Sequence, residues 1–151
     1  MIETLIVPGL DGSGPGHWQR LWAEKTPSAE IVEQEDWARP VLSDWLHRLE
    51  ARIAEAPGCV LVAHSLGCVL VAHLAERPSA AHVAGALLVA PADIERLASR
   101  RPERCSSITF RSISRIAEAG SSSSPATSPC RAPNWFSSSR MWRAPPPEAA
   151  W

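Results

Sequence analysis

The sequence predicts an α/β fold built on a mostly parallel sheet. Three observations predict it: short apolar runs of strand length at residues 2–7, 59–63 and 83–90, stretches of helical period between them, and Gly- or Pro-bearing joins. Strands of a parallel sheet are covered on both faces, so they read as unbroken apolar runs. Cys59-Val60-Leu61-Val62-Ala63 reads in that way.

Each element follows from local pattern. Ile2 to Val7 is stopped by Pro8-Gly9 and reads as a buried strand. Pro8 to Gly16 holds four glycines in nine positions, which predicts a loop whose backbone can approach something closely. His17 to Lys25 places Trp18, Leu21 and Trp22 at i, i+3 and i+4, an amphipathic helix face. Ala29 to Glu33 reads as a second strand. Pro40 opens a second helix, with Val41, Leu42, Trp45, Leu46, Leu49 and Ile53 as its apolar stripe and Pro57-Gly58 as its stop. After the strand at 59–63 come His64-Ser65-Leu66-Gly67 and a helix from Cys68 to Glu76, ended by Pro78. Val83 to Ala90 is a further strand, and Asp93 caps a short helix to Ser99.

Composition bounds the class. A chain of 151 residues with net charge −1 is long enough for one core, and neither wholesale disorder nor an overall nucleic-acid-binding charge is indicated. No apolar run approaches the ~20 residues that cross a bilayer, and Met1-Ile2-Glu3-Thr4 lacks a basic leader region. The expectation is a cytoplasmic protein without membrane or nucleic-acid partners. Cys59, Cys68, Cys105 and Cys130 show no metal-ligand spacing. Cys59 and Cys68 read as small core residues, and reduced thiols fit the cytoplasmic expectation.

A break divides the chain. Residues 1–97 contain 13 Leu and 9 Val, whereas residues 98–151 contain neither. Residues 1–93 carry 6 basic and 12 acidic side chains, and residues 94–151 carry 9 and 4. From Arg111 onward there are 10 Ser and 6 Pro in 41 residues, a composition that buries little apolar area against its ordering entropy. Residues 1–110 are therefore expected to form the core, and 111–151 a Ser/Pro/Arg-rich tail that is disordered or out of frame.

Chemistry concentrates at Ala63-His64-Ser65-Leu66-Gly67, between a buried strand and a helix. A nucleophile elbow belongs there, with Ala63 in place of the first glycine of G-x-S-x-G. The serine of such a turn is strained, so residues two positions to either side must be small. The helix N-terminus lends a positive dipole, and the Leu66 N–H can point into an oxyanion hole. The glycine-rich first loop is the expected source of the second oxyanion N–H, with Leu10 ahead of Gly9. Gly12-Ser13-Gly14-Pro15-Gly16 has the wrong spacing for a dinucleotide fingerprint. A plain small-residue turn is the alternative at both places.

Val7-Pro8-Gly9-Leu10, Gly14-Pro15-Gly16-His17-Trp18, Asp36-Trp37-Ala38-Arg39-Pro40, Ala63 to Cys68 and Leu88-Val89-Ala90-Pro91 occur in that order. In these motifs the chain resembles the small α/β-hydrolases grouped with YdeN and retinoblastoma-binding protein 9, over roughly residues 1–110. The resemblance implies an α/β-hydrolase-like three-layer sandwich without a large lid. It also implies a Ser-His-Asp triad for ester or amide hydrolysis, with Ser65 as nucleophile and no cofactor or metal. His17 and Trp18 match the family's early histidine-tryptophan pair and are expected at the pocket mouth. His17 precedes Ser65, whereas the triad histidine of this fold follows its serine. His64 reads as a packing residue of the elbow, His73 and His82 as structural or surface residues, and Asp36 and Trp37 as loop anchors.

The later part of the pattern is missing. No histidine follows His82 and no aspartate follows Asp93, so the sequence supplies no recognisable triad base or acid. Ser65 without a base is a feeble nucleophile. A reading-frame slip between Cys105 and Gly120 would explain the break. If Ser121 to Ser124 are TCG codons preceded by G, reading one nucleotide earlier gives four valines, and continuing through Pro125-Ala126-Thr127 can give alanine, serine and aspartate. A natural Ser/Pro-rich tail is the alternative. The expected function is serine hydrolysis of a small ester or amide, impaired in this chain. The other reading is a non-catalytic binding protein on the hydrolase scaffold, although no L-x-C-x-E motif for a retinoblastoma-type pocket protein is present.

Overall fold

Four strands, Thr4–Val7 (β1), Ala29–Ile31 (β2), Cys59–His64 (β3) and Val83–Val89 (β4), form one sheet in the order β2-β1-β3-β4. The computed structural model describes residues 3–100, and among these every strand pair is parallel. The 111–151 tail, the last part of the expected core and the expected frame slip lie outside the described residues. The helices are Trp18–Lys25 (α1), Leu42–Glu55 (α2), Leu66–Leu74 (α3) and Ile94–Arg100 (α4), with a 3-10 turn at Pro78–His82. This is the α/β-hydrolase-like arrangement that the motifs imply.

Alternation along the strands divides the core. Leu5, Val7, Leu61 and Ala63 face the side covered by α2 and α3, in one cluster with Trp45, Leu49, Ile53 and Leu70. Ile6, Ala29, Ile31 and Val62 face the other side, where Trp18 and Ala23 of α1 pack on them. Fully burying an apolar side chain of this size contributes roughly 1.5–3 kcal/mol, so the α2 stripe alone holds that helix to the sheet. All nine residues of α3 are buried, as expected of a helix that is apolar all round.

Two elements differ from the sequence pattern in an informative way. The predicted apolar face of α1 is not its buried face among the described residues: Leu21 and Trp22 are exposed, and Gln19 is the buried residue of that helix. The α3 helix begins at Leu66, two residues earlier than the pattern suggests. Apolar period locates the helix interior, whereas its first turn is set by the backbone geometry at Ser65. Asp93 caps α4 as expected, its Oδ1 accepting from the Arg96 N–H at 3.0 Å.

The chain leaves β1 for β2 on one side and then crosses to β3 on the other. Direction therefore reverses between β1 and β3, and the crevice beyond their carboxyl ends is where open α/β sheets bind ligands. Gly9 follows β1 at that crevice and Ser65 follows β3.

Candidate active site

Ser65 joins β3 to α3 with φ 52° and ψ −118°, a left-handed backbone for a residue with a side chain. Such a conformation costs on the order of 1–3 kcal/mol and persists only where its surroundings over-determine it. They do so here. The Ser65 N–H donates to the Val89 carbonyl at 3.2 Å, and the Ser65 carbonyl accepts from the Ala92 N–H at 3.1 Å. Between those two contacts the chain turns through Ala90, itself at φ 48°. A serine at a helix N-cap ordinarily uses its hydroxyl to cap the first turn. Ser65 makes no such bond, so its hydroxyl is not committed to the helix.

Two glycines let the β1 loop close on this turn. A Cβ on Gly9 would lie 2.9 Å from the Leu66 nitrogen and 3.0 Å from the Ser65 Cβ. A Cβ on Gly67 would lie 2.6 Å from the Pro8 carbonyl oxygen. Both contacts are with backbone or a short side chain that cannot swing aside. The small residues of the 63–67 motif thus have a steric reason, with Ala63 fully buried two positions before the serine.

The loop is fixed from its other side as well. The Asp11 N–H donates to the Trp37 carbonyl at 2.9 Å, and the Trp37 ring lies against Gly12, which has φ 68°. Trp37 is held edge-on to Trp45, ring centroids 5.5 Å apart. Asp36 Oδ1 accepts from the N–H groups of Ala38 at 2.9 Å and Arg39 at 3.0 Å. These backbone donors, ahead of the Arg39 side chain, hold its carboxyl below the usual carboxylate range. Asp36 and Trp37 thus anchor a loop.

Gln19 is the residue that sequence reasoning missed. It is fully buried in the first turn of α1. Its Nε2 donates to the carbonyls of Val62 at 3.0 Å and Val7 at 3.3 Å, and its Oε1 accepts from Ser13 Oγ at 2.7 Å. One side chain therefore ties the loop to the ends of both central strands. No periodicity marks it, because a lone glutamine beside an arginine reads as a solvated helix face. The Leu88-Val89-Ala90-Pro91 motif marked the next segment, but not its hydrogen bonds to Ser65.

His17 and His64 lie together, ring centroids 5.0 Å apart, and Trp18 stands edge-on to His64 at 6.0 Å. His17 caps α1, its Nδ1 accepting from the Gln19 N–H at 3.3 Å. Burial, and after it the nearby His17, push His64 below the ordinary histidine value. Gly9 thus approaches Ser65 and Leu66, and His17 and Trp18 meet His64, while His73 is buried within α3 and His82 is exposed. Leu10 follows Gly9 in the same loop and packs against the main core cluster. Among the described residues, no group of three or more His, Cys, Asp or Glu side chains could hold a metal ion, and no helix is long and apolar enough to cross a membrane.

A family model described as serine hydrolase matches residues 4–126. The chain belongs to the serine hydrolase family. Among solved structures, this serine hydrolase-family chain is similar to a crystal structure described as a YdeN-like hydrolase from Pectobacterium atrosepticum. Identity is 27%, the TM-score is 0.58, and the match covers 64% of this chain and 52% of that one. The family member described here thus spans about half the length of that hydrolase. No curated protein matches it.

Proposed function

We propose that the chain is a serine hydrolase acting on a small ester or amide by acyl transfer, with Ser65 as its nucleophile. The observation that carries the reading is the left-handed Ser65 backbone with its hydroxyl uncommitted to capping. A nucleophile elbow has a backbone of this kind and would present the oxygen at the head of the helix. The first-turn N–H of Leu66 has no helical carbonyl to bond and would hold the developing oxyanion together with the Leu10 N–H. Support for the second donor is the approach of Gly9, the residue before Leu10, to the Leu66 nitrogen. Gly9, His17, Trp18 and His64 would shape the crevice around the reacting carbonyl.

Turnover by this chain is expected to be slow. A serine hydroxyl needs a base to take its proton, and no histidine follows Ser65 in the sequence except His73, buried in α3, and the exposed His82. Labelling with a fluorophosphonate probe tests the nucleophile. The expected result is slow labelling of the folded chain that disappears in Ser65→Ala. Labelling that persists in Ser65→Ala, or none in a cooperatively folded chain, would favour a non-catalytic binding role instead. Hydrolysis of p-nitrophenyl acetate near the ordinary enzyme rate of about 10 s⁻¹ would overturn the impairment.

A further inference from the structure

His64, one residue ahead of Ser65, stands at one end of a row of rings that continues along α1. The Trp18 indole stands edge-on to it, with planes at 89° and centroids 6.0 Å apart, and Trp22 lies 6.1 Å beyond Trp18. His17 lies beside both, 5.0 Å from His64 and 5.7 Å from Trp18. Helical spacing of four places the two indoles on one face of α1. Trp18 is half-buried against the cluster containing Ile6 and Val62, whereas Trp22 is 36% exposed. The row thus runs from the residue beside the reacting hydroxyl to the surface.

Ring pairs at 4.5–7 Å in edge-on or tilted geometry gain attraction from their quadrupoles beyond the area that they bury. All four contacts in this row have that spacing and tilt. A further flat ring could join the same pattern, and a saturated ring of equal size would gain only burial. An anionic group would lose hydration against the negative faces of these rings.

We infer that the His64–Trp18–Trp22 row is the binding surface for an aryl group of the substrate, so that the chain takes aryl esters or amides in preference to alicyclic ones. The assignment rests on the reading of Ser65 as the reacting group. The test is an equilibrium titration followed by NMR, with the full chain carrying Ser65→Ala so that nothing is acylated. Phenyl acetate and cyclohexyl acetate are the probes, similar in size and different in their π system. The expected result is a Kd for phenyl acetate lower by roughly three- to tenfold, with a shift of the Trp18 indole N–H resonance. Trp18→Leu brings the two affinities together, and Trp18→Phe restores the gap. Equal affinities in the Ser65→Ala parent, no binding of either ester, or a gap that survives Trp18→Leu overturns the inference. Should Trp18→Leu fail to fold, the resonance decides: a Trp18 indole unmoved by phenyl acetate overturns it. A failure of fluorophosphonate labelling bears on the nucleophile alone, so the two readings fail separately.

Discussion

Gly67, in the first turn of α3, lies directly beneath the end of β1, and the carbonyl oxygen of Val7 occupies the space that a side chain at position 67 would need. The close approach of helix to strand brings the β1 loop over the Ser65 turn. Gly67→Ala therefore forces backbone apart, because both neighbours, the Val7 and Pro8 carbonyls, are main chain. The expected cost is about 3 kcal/mol or more, at the upper end for overpacking. Chemical denaturation would show a large fall in midpoint, and a midpoint within error of the parent would refute the steric argument.

Ser65→Gly should act in the opposite direction on stability. Glycine adopts positive φ at little cost, so removing the Cβ at φ 52° relieves strain on the order of 1 kcal/mol. The variant is expected to melt several degrees higher and to lose fluorophosphonate labelling altogether. A lower melting temperature than the parent would mean that the backbone at Ser65 is not strained.

Gln19→Glu places a carboxylate where the amide donates to two carbonyls. A buried carboxylate facing acceptors is unfavourable when ionised, so its folded-state pKa must rise above the unfolded value. The folded state then holds the proton more tightly, and stability relative to the parent falls as pH rises through the unfolded pKa. Denaturation at pH 4 and pH 7 is the check. The deficit should be larger at pH 7, and a deficit independent of pH would show that position 19 takes a charge without penalty.

The two described cysteines should be unreactive in the folded chain. Burial pushes the Cys59 thiol up to about 11 and the Cys68 thiol up to about 12. Almost no thiolate is then present at pH 8, and the thiolate is the reacting form. Peptide mapping after iodoacetamide treatment should find both unmodified in native protein and both alkylated in denaturant. Rapid native alkylation of Cys68 would contradict its position under β4, where its Sγ donates to the Val89 carbonyl at 3.3 Å.

The legible parts of this protein are those whose physics is local. The apolar run at 59–63 sits within β3, because a strand covered on both faces needs no polar alternation, and the run at 83–90 contains β4 and one residue more. The 63–67 motif marked a tight strand-to-helix turn, since small residues at fixed offsets are the signature of close packing. Asp36 and Asp93 were legible because their carboxylates act through near neighbours in the chain, whereas Trp37 acts through Asp11, Gly12 and Trp45. The α1 face was misjudged because helical period counts apolar residues and cannot say which side the sheet will take. Trp22 followed the pattern and is exposed, whereas Gln19 broke the pattern and is buried.

By itself, then, the sequence determined the strand and helix order, the glycine-rich loop and the Ser65 turn. Only the tertiary structure decided how Ser65 is held and what surrounds it. Gln19 reaches Val62 across 43 residues, and Val89 at the end of β4 and Ala92 just beyond it clamp Ser65. Such contacts have no period in the chain. They exist because a parallel sheet brings the ends of successive strands to one edge, where unpaired carbonyls must find donors wherever the fold supplies them.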